Sequence, residues 1–157
     1  MYRNFLSLCS LLCLAISDLI CAEVVEVTAS GFQPGNEPAH AIDGNPNSRW
    51  SAEGKGQWLQ LKLDKETVFT AFEAGFARGT RRYEFSIHTS QDGKKWKESY
   101  SGKSAGKGDQ VNKFELPATS ARFIRFVSQG NNENKWVNLH AFKIQGVKVS
   151  KKLVKPS

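Results

Sequence analysis

Apolar and polar residues alternate with a period of two through much of the chain beyond residue 23. Leu59, Leu61 and Leu63 alternate with Gln60 and Lys62, and Tyr83, Phe85 and Ile87 with Glu84, Ser86 and His88. Successive side chains of a strand point to opposite faces, so each run predicts a strand with one buried face. Residues 24–29 predict a first strand and 57–63 a second, with a turn at Lys65-Glu66. Residues 67–77 predict a third, apolar on both faces at Val68, Phe69, Phe72 and Phe76, as at the centre of a sandwich. Asp92-Gly93 closes a hairpin, from which residues 96–100 return. Residues 111–116 predict a strand that Pro117 stops, residues 121–128 another, and Leu139, Phe142 and Ile144 end the domain. Residues 101–109 (SGKSAGKGD) read as a solvated connection, with the border of a binding face as the alternative. No helical apolar period of useful length follows the N-terminal segment, so the pattern predicts an all-β antiparallel sandwich.

Residues 1–22 read differently. Arg3 gives a positive start, residues 5–16 are apolar but for Ser7 and Ser10, and Ala22 offers a small residue for cleavage before Glu23. This is the pattern of a secretory signal peptide, too short to span a membrane comfortably, and it predicts a secreted, periplasmic or cell-surface protein. Cys21 raises a lipoprotein alternative, against which Ile20 is large for the preceding position. Cys9, Cys13 and Cys21 all fall in this leader, so the mature chain must be held by its core without disulfides. The whole chain has 22 Lys and Arg against 15 Asp and Glu. Removing Arg3 and Asp18 leaves 21 against 14, so the net charge of +7 survives. An exported basic domain suits acidic partners such as uronic-acid polysaccharides, sulfated glycans or anionic surfaces; solubility is the plainer reading of the same charge. Residues 147–157, with four lysines and Pro156, read as a mobile tail.

A resemblance enters at residues 41–50, AIDGNPNSRW, followed by G-x-G-Q-W-L-x-L-x-L at residues 54–63. These resemble the early motif of discoidin domains, also called factor V/VIII type C domains, whose bacterial branch includes the family 32 carbohydrate-binding modules. Later segments follow in the same order: residues 82–87 (RYEFSI), 89–96 (TSQDGKKW), 101–102, 121–126 (ARFIRF) and 130–131. The resemblance implies a discoidin-like jelly-roll sandwich (galactose-binding-like) over residues 23–146, with ligands on loops at one end. Animal members commonly clip their ends with a disulfide, which this chain lacks, so the bacterial branch is favoured. In family 32 modules the loop matching residues 43–48 usually holds a structural calcium. Here Asp43, Asn45 and Ser48 are its candidate oxygen ligands. A glutamate that normally completes the site falls at Ala141, which removes an anionic ligand. The alternative is that Asp43 and Ser48 only cap the loop by hydrogen bonds.

Sugar recognition needs an aromatic platform for C–H faces and planar polar groups for hydroxyls. For a uronate, the guanidinium fork of Arg matches the carboxylate. The candidates are Phe32, Asn36, Glu53, Arg78, Arg81, Asn131, Asn134 and Trp136. Phe32 either stacks on a sugar or plugs its loop from beneath, and Asn131 either touches sugar or caps its loop. Arg78 and Arg81 sit in a turn with Gly79 and either project as ligands or are merely solvated. Trp50, Trp58 and Trp96 are assigned to the core, and Arg122 and Arg125 to local packing.

Catalysis finds little support. His40, His88 and His140 lack metal-site spacing, no G-x-S-x-G motif occurs, and no cysteine nucleophile survives cleavage. Nucleic acid is excluded as a partner by the lack of a groove-reading helix or zinc spacing, and by export. The reading is a non-catalytic, exported domain that binds an extracellular polysaccharide, acidic in the version the charge favours. Its rivals are an adhesion module binding a cell-surface protein or lipid, and an accessory to a separate polysaccharide-degrading chain.

Overall fold

The structure, a computed structural model, describes residues 21–153. The predicted signal peptide, except its last two residues, and residues 154–157 lie outside the described part. Eight strands follow in order: β1 (Ala22–Ala29), β2 (Trp50–Glu53), β3 (Gln57–Phe76), β4 (Tyr83–Ser90), β5 (Lys97–Lys103), β6 (Val111–Asn131), β7 (Trp136–Ile144) and β8 (Val147–Val149). One short 3-10 turn, Pro38–Ala41, is the helical content of the described residues.

β3 and β6 are 20 and 21 residues long and organise the rest. Neither the turn expected at Lys65-Glu66 nor the stop expected at Pro117 occurs. Both strands run through, paired antiparallel, with register shifts between Lys62 and Thr67 and between Phe69 and Ala71. Bulges let paired strands bend while keeping most of their ladder. Pro117 falls in the second irregularity, between the partners Glu115 and Thr119, where its missing N–H breaks no rung. Each long strand therefore serves two layers. The first half of β3 pairs with β1 and with the second half of β6, which pairs with β4 and through it β5. The second half of β3 pairs with β7, which pairs with β2.

The core fills the space between the layers. Leu59, Leu61 and Leu63 face inward from one half of β3, and Phe69, Phe72, Ala74 and Phe76 from the other, all buried. Phe72 stacks on Phe114 at 5.2 Å and meets Phe85 edge-on at 6.2 Å. Val68, expected inside, is 64% exposed, because its neighbour Phe69 takes the inward position.

Three expectations need correction. Trp50 is buried as predicted, its indole N–H donating to the Gly31 carbonyl at 3.0 Å. Trp58 and Trp96, however, are half-buried outside the core. Trp58 precedes inward-facing Leu59, so alternation sends it to the outer face. There the Arg125 guanidinium lies 4.2 Å from the Trp58 ring and 4.0 Å from the Trp96 ring. Arg125 Nε also donates to Gln60 Oε1 at 2.9 Å. Finally, the expected tail begins in order: β8 pairs in parallel with the start of β1, and Leu153 packs against the core. Val147 and Val149 alternate with exposed Lys148, which suits a strand with one covered face.

Candidate functional site

Four segments converge beyond one end of β1. Residues 30–37 leave β1 and are tied back by Gln33 N donating to the Ser51 carbonyl and Ser51 N to the Asn36 carbonyl. Arg49 leads into β2. Residues 77–82 link β3 to β4, and residues 132–135 link β6 to β7. Gln33, Arg49, Arg78, Arg81, Asn134, Trp136 and Asn138 line a groove of about 300 Å³ between them. A second groove of about 290 Å³ adjoins it, sharing Gln33 and Trp136 and lined also by Phe32, Pro34, Ala52, Glu53 and Gln57.

The first groove is cationic. Arg81 Nε meets the Glu133 carboxylate at 2.7 Å. Arg49 Nε donates to Ser51 Oγ at 3.1 Å. Neither Arg49 nor Arg78 has an ion pair among the described residues. Beneath them runs a buried polar chain. Ser51 Oγ donates to Asn138 Oδ1, Asn138 Nδ2 to the Tyr83 hydroxyl, and that hydroxyl to the Ala77 carbonyl at 2.9 Å. Buried polar groups are costly unless paired, so this chain fixes the floor. Burial pushes the Tyr83 phenol up from its ordinary pKa.

Arg78 is the one residue other than glycine among those described with positive φ, at 59°. Its turn is clamped by residues 104–109, which are therefore a brace and not the solvated connection expected from the sequence. Gly79 N donates to Asp109 Oδ1, and Gly108 N to the Gly79 carbonyl. A Cβ on Gly79 would stand 1.9 Å from the Gly108 oxygen, so only glycine fits.

Of the eight residues proposed from sequence, six meet here: Phe32, Glu53, Arg78, Arg81, Asn134 and Trp136. Phe32 is 51% exposed and so is not a plug. The other two line neither groove. Asn36 donates from its amide to Gln33 Oε1 at 2.7 Å. Asn131 caps its loop: its side chain accepts from Glu133 N and Asn134 N and donates to Asn134 Oδ1 and the Trp136 carbonyl. Sequence reasoning missed Gln33, Arg49 and Asn138. Arg49 has a signal, lying inside the motif at residues 41–50, but nothing local marks it as facing the groove.

The loop proposed for calcium satisfies itself. Asp43 Oδ1 accepts from Asn45 N at 2.8 Å and Asp43 Oδ2 from Ser48 Oγ at 2.6 Å. The Asn45 carbonyl accepts from the same hydroxyl. A cavity of about 90 Å³ beside it is lined by Gly44, Asn45 and Pro46 and, from β7, by His140, Ala141 and Lys143. A methyl group thus stands where a second carboxylate would be wanted, with an ammonium on the same wall. This donor set, one carboxylate with a hydroxyl and carbonyls, does not fit a calcium site well.

The profile of the F5/8 type C domain family matches residues 26–142. The chain belongs to this family. The discoidin resemblance and the jelly-roll sandwich expected from it both hold. Among solved structures similar to this F5/8 type C domain is the CBM32 of AlyQ in complex with 4,5-unsaturated mannuronic acid. It has 36% identity and a TM-score of 0.74, over 78% of this chain and 95% of that one. A pectin-binding carbohydrate-binding module has 29% identity and a TM-score of 0.74, over 83% and 99%. A truncated AlyQ that joins its CBM32 to alginate lyase domains has 35% identity and a TM-score of 0.75, over 80% of this chain and 32% of that one. No curated protein matches this F5/8 type C domain.

Proposed function

We propose that the protein is an exported, non-catalytic domain that binds an acidic polysaccharide in the groove between Arg49, Arg78, Arg81 and Trp136. The observation that carries this is the gathering of three guanidinium groups around one groove with a single carboxylate partner, Glu133. Two similar structures add support, one bound to an unsaturated mannuronic acid and one described as pectin-binding. In this reading a sugar ring stacks on Trp136. Its carboxylate takes the guanidinium forks of Arg78 and Arg49, and Gln33 and Asn134 take hydroxyls. The network under Asn138 holds these groups in place, so little order is lost on binding. Single-site affinity is modest, and clustering with a separate catalytic chain or cell-surface protein would raise it. Export rests on the leader pattern at residues 1–22.

The test is binding of the exported protein to a panel of neutral, uronate-bearing and sulfated polysaccharides at low and at physiological salt. Retention on uronate-bearing polymers at physiological salt is expected. Arg78→Ala should weaken it roughly tenfold or more, as expected for loss of a charge-assisted hydrogen bond. Binding to every polyanion at low salt that vanishes at higher salt would reduce the result to bulk charge. No glycan binding at all would leave protein or lipid adhesion as the function.

A further inference from the structure

The two grooves beside Trp136 differ in charge, and the β2–β7 register makes that difference part of the fold. Glu53 is the direct partner of Trp136 across the ladder. Opposed residues of an antiparallel pair project to the same face, with Cα atoms about 4.5–5.5 Å apart. The Glu53 side chain is therefore fixed beside the indole, on the wall of the second groove. Its carboxylate has no ion pair among the described residues, whereas that of Glu133 is held by Arg81. The remaining lining of the second groove is apolar or neutral: Gly31, Phe32, Pro34, Ala52, Gln33 and Gln57. No cation lines it, and three arginines line its neighbour.

We infer that the cleft is two unlike subsites sharing Trp136: one takes a charged uronate, and the other, guarded by Glu53, takes a neighbouring residue that carries no charge. This rests on the groove being the glycan site. It narrows the ligand from acidic polysaccharide to chains in which a uronate adjoins a neutral or esterified sugar. A second free carboxylate in the Glu53 groove would approach a like charge. At about 6 Å and a water-like dielectric, such repulsion amounts to about threefold in affinity, and more where the groove excludes water. An uncharged sugar in the same place keeps Phe32 for stacking, while Gln57, bonded to Ser30 Oγ and to the Glu53 carbonyl, holds the wall.

The experiment is calorimetric titration of the protein with a uronic acid disaccharide bearing two free carboxylates, and with each of its two mono-methyl esters. For the native protein, the better of the two esters should bind at least about threefold more tightly than the diacid, the repulsion just given. In Glu53→Gln, which is isosteric and exposed, the diacid should gain and the difference should shrink to within about twofold, the residual then being steric. Arg78→Ala separates the two levels of the argument. If it leaves every affinity unchanged, the groove is not the site and the underlying reading fails. If it abolishes binding while the native protein prefers the diacid, or while Glu53→Gln changes nothing, the groove stands and the two-subsite inference is overturned. Melting curves of each variant show that the fold is intact.

Discussion

Arg78 occupies a backbone conformation that L side chains adopt at a cost of about 1 kcal/mol or more. Glycine would take the same φ without strain, though it loses more entropy on folding. These effects nearly cancel, so Arg78→Gly should leave stability to denaturant within about 1 kcal/mol of the native value. Glycan binding should nevertheless fall about tenfold or more, because the guanidinium is gone. A variant that lost binding only together with its fold would show that Arg78 serves the turn and not the ligand. Arg125 is the contrasting case. Its guanidinium lies between two indoles and burial depresses its pKa, so its charge serves the packing of the sheet face.

Among the elements, the β4–β5 hairpin has an acid-sensitive turn. The Asp92 carboxylate accepts from the amides of Lys95 and Lys94, both at 2.8 Å, and from Ser90 Oγ at 3.1 Å. Chiefly the Lys95 and Lys94 amides hold its pKa down, from 3.8 to about 2. The folded value lies below the unfolded one, so the charged form stabilises the fold at neutral pH. That contribution is lost as pH falls from about 4 through about 2. Asp92→Asn should melt below the native protein at pH 6, and the two melting temperatures should converge on approach to pH 2. Parallel curves over that range would remove Asp92 from the account. The loop at residues 43–48 carries a different expectation. Because its donors are already paired and Ala141 supplies no carboxylate, melting should be the same in calcium as in chelator. A melting temperature that climbs with calcium concentration would mean that the ion binds the folded state after all.

Over the whole molecule, the strand pattern was readable because alternation is local: Leu59, Leu61 and Leu63 announce a face with no knowledge of what covers it. The bends in β3 and β6 were not, because a strand passing between layers stays extended, and Lys65-Glu66 and Pro117 look the same in a bulge as in a turn. Trp58 and Trp96 misled for a related reason. Their apolar area suggests the core, but only the register with Arg125 shows what covers them. The site divides along the same line. Arg78, Arg81 and Trp136 were legible as large side chains beside turn signals. Arg49 reaches the groove through the β2–β7 ladder that it leads into, and Gln33 through a backbone bond to Ser51, contacts distant in sequence that no local pattern carries.

The parallel pairing of β8 with the start of β1 has a consequence for how the domain is presented. Glu23 lies beside Lys148 and Val24 beside Val149, and Ser150 N donates to the Val24 carbonyl, so the start of the mature domain and its last strand share one place on the sheet. The groove lies beyond the other end of β1, eight residues away, or roughly 26 Å at strand rise. An enzyme, an anchor or a reporter joined ahead of β1 is attached at the pole remote from the arginines. The cleft then points away from its carrier, so it can meet a polymer in a wall or gel without the carrier standing in between.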